Sequence, residues 1–153
     1  EIYTLSLHDA LPISYSLAAC TGATLHLIEP LGFNFSDAHL KRAGLDYHDL
    51  ADLRIHKNFD ALLKDVDGNR IFAFTGHTEN NFADVSYQSG DVLLFGPEPT
   101  GLPALIVAHP AIESALRIPM MPHLRSLNLA NSASIAVYEA WRQLNFTGAS
   151  LIS

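Results

Sequence analysis

Two segments restrict the fold of this chain more than anything else in it: residues 70–75 (RIFAFT) and residues 91–95 (DVLLF). Each is short and apolar at almost every position. A strand with one face in water alternates apolar and polar residues, whereas one that does not alternate is covered on both faces. These segments therefore predict central strands of a sheet sandwiched between helices. Residues 24–28 (TLHLI), ending before Pro30, and residues 115–118 (ALRI), ending before Pro119, read as further strands, and a weaker one lies near Leu53. Helical stretches between them predict an α/β fold with a parallel sheet flanked by helices.

The helices carry their own signals. Residues 15–21 read as the end of a helix stopped by Gly22. Ser36 or Asp37 can cap a short helix running to Gly44, and Asn58 can cap another. In the latter, Phe59, Leu62, Leu63 and Val66 recur at helical spacing before Asp67-Gly68 breaks the pattern. A short helix follows Gly101-Leu102-Pro103. Over residues 128–144, Ala130, Ala133, Val137, Ala140, Trp141 and Leu144 form one apolar face, the clearest helix in the chain.

At 153 residues and 48% hydrophobic composition the chain fits one domain with one sizeable core, without repeats or a linker. No apolar run approaches the roughly 20 residues that span a bilayer, so a soluble protein without a membrane partner is expected. Cys20 is the only cysteine, which excludes an internal disulfide and a thiolate metal cluster within one chain and fits a reducing, cytoplasmic setting. The eight histidines form neither a pair on one helical face nor a Cys/His pattern; they read as surface and loop residues, and no metal is expected. A formal charge of −7 argues against an extended nucleic-acid surface. A polyanion would require local convergence of bases, for which Lys41, Arg42, Arg54, Lys57 and Arg125 are the candidates.

Hydrolase, nucleotide-loop and dinucleotide signatures are missing: there is no G-x-S-x-G, no G-x-x-x-x-G-K-[ST] and no G-x-G-x-x-G after a strand. Three loops remain, each following a buried strand: Thr75-Gly76, residues 96–103 (GPEPTGLP) and residues 119–131. Ligands of open α/β sheets bind beyond the carboxyl ends of the strands, so these loops belong together. Gly96 and Gly101 allow close backbone approach, and Pro97, Pro99 and Pro103 stiffen the segment between them. An ordinary tight loop explains that segment equally well. The third loop adds Arg125 and a polar series, Ser126, Asn128, Asn131, Ser132 and Ser134, at the start of a helix.

With FGPEPTGLP and RIPMMPHLRSLNLANSASIAVYEAWRQL in view, and IEPLGFNFSDAHLKRAGLDYHDL ahead of them, the sequence resembles the SPOUT methyltransferases, and among them the small enzymes that 2′-O-methylate the wobble nucleotide of tRNA. The resemblance covers residues 15–149 and implies a deep C-terminal trefoil knot, S-adenosylmethionine as methyl donor with S-adenosylhomocysteine as product, tRNA as partner, a homodimer and no metal. It implies Phe74, Gly96, Ile118 and Ser126 at cofactor-contacting positions with Thr75, Glu98, Met120 and Leu127 beside them. Lys41, Arg42 and Arg125 are the implied substrate-binding residues, and Arg125 and Ser126 lie near the reaction centre. Tyr138 and Trp141 are interface or core residues.

Two departures stand out. The family's first motif, Asn-x-Gly-Asn followed by an arginine that assists hydroxyl activation, belongs just before Tyr15, and residues 1–14 (EIYTLSLHDALPIS) lack it. We read residues 1–14 as non-native, from read-through of cloning or adapter DNA, and residues 15–153 as the domain. A missing or replaced first strand, an exposed sheet edge and impaired turnover are then expected, and the catalytic residue is unknown. Pro99-Thr100 also stands where relatives carry threonine then a basic residue. The alternatives are a catalytically impaired knotted module that binds RNA or cofactor, and a 2′-O-methyltransferase of another RNA.

Overall fold

The structure is a computed structural model, described here for residues 2–5, 11–29, 52–97, 100–124 and 127–150. Six strands, β1 (Ile2–Leu5), β2 (Thr24–Ile28), β3 (Leu53–His56), β4 (Ile71–Phe74), β5 (Val92–Phe95) and β6 (Ile112–Leu116), form one sheet in the order β3-β2-β1-β5-β4-β6. Every pairing is parallel. The helices are α1 (Leu11–Thr21), α2 (Phe59–Asp65), α3 (Ala104–Val107) and α4 (Leu129–Gln143), with a 3-10 turn at Phe82–Asp84.

Alternation along the strands divides the core into two layers. Leu25, Leu27, Phe72, Phe74, Leu93, Phe95 and Leu116 pack with Leu17 and Ala18 of α1 and Leu129, Ala133, Ala136, Val137 and Ala140 of α4. On the opposite face Ile71, Val92 and Leu94 pack with Leu62 of α2 and Val66, with Ile106 of α3 against them. All four residues of β4 and of β5 are buried, as two-sided cover requires. Fully burying one such side chain contributes about 1.5–3 kcal/mol.

The small residues of α4 have a use. Ala133 and Ala136 are fully buried where the helix meets the first layer. At its N-terminus the Asn128 side chain accepts hydrogen bonds from the amides of Ala130 (2.9 Å) and Asn131 (3.3 Å), satisfying two orphan donors. At the other end Gln143 ties the helix to the preceding loops. Its Oε1 accepts from the Tyr87 amide at 2.8 Å and its Nε2 donates to the Val85 carbonyl at 3.0 Å.

Two expectations need correction. Of a first strand expected to be missing or replaced with an exposed sheet edge, neither the absence nor the edge holds: β1 lies between β2 and β5, with Ile2 in register with both Thr24 and Val92. Strand competence in a parallel slot demands only an extended run of tolerable side chains, and IYTL supplies one. The last strand also begins earlier than its apolar residues suggested, at Ile112, because Glu113 and Ser114 occupy an edge strand where polar residues can reach water. The helix expected from Ser36 or Asp37 to Gly44 lies outside the described residues.

Candidate active site

Strands β4, β5 and β6 end side by side, and the chain leaving each one bends over the same space. Phe74 and Phe95 stack with centroids 4.6 Å apart and form its floor. Above them lies a cavity of about 400 Å³, lined among others by Phe74, Thr75, Gly96, Gly101, Ile118, Met120 and Leu127. That volume is within the range of small-molecule sites.

The wall after β5 depends on glycine. A Cβ on Gly96 would stand 2.2 Å from the Gly101 carbonyl carbon and 2.2 Å from the Leu102 amide nitrogen. Gly101 has φ +71°, in the left-handed region, and its amide donates to the Pro97 carbonyl at 2.7 Å. The loop is thus folded on itself, back against the strand end. The sequence left this segment balanced between a clamp and an ordinary tight loop, and its tight closure fits both; its place is beside the cavity.

The wall after β6 is held by main-chain bonds. The Thr75 amide donates to Leu116 O (3.0 Å), the Arg117 amide to Asn80 O (2.8 Å) and the Phe82 amide to Arg117 O (3.0 Å). The Asn80 side chain donates to Ala115 O at 3.2 Å. The loops after β4 and β6 consequently form one unit. Ile118 and Leu127, both half-buried, present apolar surface, and the capped start of α4 brings Ser132 to the rim.

Of the expected cofactor positions, Phe74, Thr75, Gly96, Ile118, Met120 and Leu127 converge on this cavity. Glu98, Arg125 and Ser126, and with them Lys41 and Arg42, lie outside the described residues. The motif reading missed His77, which lines the cavity two residues beyond Thr75. Its only signal was a position in the loop after a buried strand. Arg117 also lines the cavity, and its guanidinium pairs with no carboxylate among the described residues.

Away from the cavity, Arg54 is not available as a free base. It bonds Asp65 at 3.1 and 3.2 Å and Asp52 at 3.0 Å, which raises its pKa further and lowers that of Asp65. The expectation that the histidines lie on the surface or in loops fails for two of them. His26 in β2 and His56 in β3 are buried on neighbouring strands, with Nδ1 of one 2.8 Å from Nε2 of the other. Burial, then the neighbouring His56, pushes His26 down to about 4. Residues thirty apart in sequence meet only through sheet register, which spacing along the chain does not reveal.

The profile of the SpoU rRNA Methylase family matches residues 15–138, most of the chain. The chain belongs to the SpoU rRNA methylase family. Members similar to it include proteins named tRNA (cytidine(34)-2′-O)-methyltransferase. That of Methylovorus glucosotrophus is 49% identical over 87% of this chain and 86% of its own, and that of Aeromonas hydrophila 50% identical over 86% and 85%. Among solved structures, a putative RNA methyltransferase from Bacillus anthracis superposes with a TM-score of 0.88 at 33% identity, covering all of both chains. A structure described under the 2-OH methylation of C/U34 on tRNA gives 0.81 at 42% identity, over 94% of this chain and 96% of that one. The parallel sheet with helices on both faces is thus the SpoU methylase fold.

Proposed function

We propose that this chain belongs to those SpoU methylases that methylate the 2′-hydroxyl of nucleotide 34, the wobble position, of tRNA, with S-adenosylmethionine as donor. The observation that carries the reading is the cavity built from the three strand-end loops, in a chain about half identical to relatives bearing that name.

The residues present fit the donor. Gly96 and Gly101 leave backbone rather than side chains along one wall, Ile118 and Leu127 can flank a flat purine, and main-chain groups of residues 118–124 and 127 can read its polar edge. When bound, S-adenosylmethionine supplies an electrophilic methyl group. The protein's part is to hold the acceptor ribose in line, exclude water and remove the hydroxyl proton. Arg117 and His77 stand at the cavity and Arg125 and Ser126 follow in the same loop, so this end is where the ribose is read to approach. Glu98 and Met120 complete the donor site, and Lys41, Arg42 and Arg125 the tRNA contacts. The deep trefoil knot, a cytoplasmic location and a homodimer are part of the same reading. Tyr138, exposed on α4 beside Trp141 and Phe146, supports the dimer as an apolar patch.

A second reading has its own support. Residues 1–14 lack the Asn-x-Gly-Asn motif and its arginine, so this chain is read as impaired in turnover, its first strand supplied by foreign sequence; resequencing the native locus tests that origin. Calorimetric titration with S-adenosylmethionine, then methyl incorporation into tRNA with and without a restored motif, separates the readings. A folded, restored chain that binds no donor ends the enzyme reading. Donor binding without methylation in either form favours a binding module. Methyl groups mapped to ribosomal RNA rather than nucleotide 34 redirect the substrate.

A further inference from the structure

The buried histidine pair is unexplained by the methyltransferase reading, and it has a third member. Asp65, at the end of α2, brings one carboxylate oxygen to 3.7 Å from His26 Nδ1 and 3.7 Å from His56 Nε2. The two nitrogens are 2.8 Å apart. We propose that His26, His56 and Asp65 form a zinc-class divalent metal site that ties β2, β3 and α2 together.

Geometry carries the proposal. The point equidistant from the three donor atoms lies about 2.0 Å from each, and zinc holds imidazole nitrogen and carboxylate oxygen at about 2.0–2.2 Å. Tetrahedral bonding separates neighbouring donors by about 3.3 Å, so the nitrogens part by roughly half an ångström while the carboxylate closes by a similar distance. The Asp65 side chain is 33% exposed, against 0% for His26 and 8% for His56, so one side of the triad opens to water, which supplies the fourth ligand. Two imidazoles and one carboxylate suit zinc, or nickel and copper by the general affinity order, and not magnesium or calcium.

The charges agree. Asp52 and Asp65 outweigh Arg54, leaving the surroundings at −1 with neutral imidazoles, and burial keeps both rings neutral. Without metal, one ring must donate to the other across the 2.8 Å gap, and His26 Nε2 is buried without a hydrogen-bond partner. Metal binding shifts the bridging proton to the other nitrogen of its own ring, so both facing lone pairs become free and no net proton is released. The same unpartnered nitrogen lacks the supporting acceptor that usually strengthens a liganding imidazole, so the affinity is set at the modest end for such sites.

The test is titration of the whole chain, stripped with a chelator and dialysed, with Zn²⁺ against a chromogenic competitor, alongside His56→Gln, Asp65→Asn and His123→Gln. Asp65 is partly exposed, so Asp65→Asn keeps the fold, which circular dichroism verifies. One equivalent bound by the parent and by His123→Gln, with about tenfold or greater weakening in Asp65→Asn and His56→Gln, supports the site. No stoichiometric binding by the parent, or equal affinity in all four proteins, overturns it and leaves a hydrogen-bonded histidine pair.

Discussion

Gly96 and Gly101 touch backbone to backbone: the space a Cβ would need at the first is filled by the carbonyl carbon of the second, 2.2 Å away. The contact fixes the loop after β5 beside the cavity. A methyl group there cannot be absorbed by a side-chain rotation, because the obstacle is main chain. Gly96→Ala is therefore expected to displace the 97–102 loop, lower stability by about 1–3 kcal/mol and weaken S-adenosylmethionine binding at least tenfold. Calorimetry on the folded variant reads this; unchanged affinity would show that the loop does not form the donor site.

At the start of α4 the Asn128 side chain accepts two main-chain amides. Asn128→Ala should cost about 1 kcal/mol, lowering Tm by roughly 2–4 °C for a chain of this size, and Asn128→Asp should restore most of it. Thermal denaturation of the three proteins checks the order.

A buried carboxylate holds the turn before β5. Asp91, 7% exposed, accepts from Arg70 Nε at 2.9 Å and from its terminal nitrogen at 2.6 Å, and from the Gln88 amide at 2.8 Å. Asp91→Ala strands the guanidinium and the amide together, for a loss of about 2 kcal/mol. Arg142→Ala removes a partner that is 60% exposed, where water screens the pair and little stability is at stake. Urea midpoints should therefore fall further in the first variant than in the second.

Glu139 gives the acid limb of stability a defined contributor. Hydrogen bonds from Arg142 and Gln143 hold its pKa at about 2 instead of 4.5. Above pH 4.5 the carboxylate is ionised in folded and unfolded chains alike and its stabilisation is complete. As pH falls from 4.5 towards 2 the unfolded chain takes up the proton first, and that stabilisation is lost. Glu139→Gln should be less stable than the parent at pH 7 and show a shallower decline below pH 4.5, measured by Trp141 fluorescence in urea.

Much of this was legible in the sequence because the signals were local. The two-sided burial of β4 and β5, the Asn58 cap and the break at Gly22 follow from residues near one another in the chain. The cavity positions Phe74, Gly96, Ile118 and Leu127 came from family motifs; spacing alone suggested only that the three loops meet. What stayed hidden is what register creates. His26 and His56 become neighbours through the pairing of β2 with β3, and Asp65 joins them only once α2 packs against that pair. The strand at Ile2–Leu5 was hidden for another reason. A parallel slot between two strands selects for extended backbone more than for a particular sequence, so motif comparison sees nothing where the sheet still accepts a strand.

The strand order has a temporal consequence. β1 joins β2 to β5, and Ile2 is in register with Val92, ninety positions later. During synthesis β1 and β2 can pair early, but the half of the sheet that carries the candidate site cannot dock onto them until β5 has left the ribosome. Contacts so distant along the chain make for slow closure and a long interval with an unpaired strand edge. The newborn chain therefore passes through its most aggregation-prone stage before the cavity at the ends of β4, β5 and β6 exists to be filled.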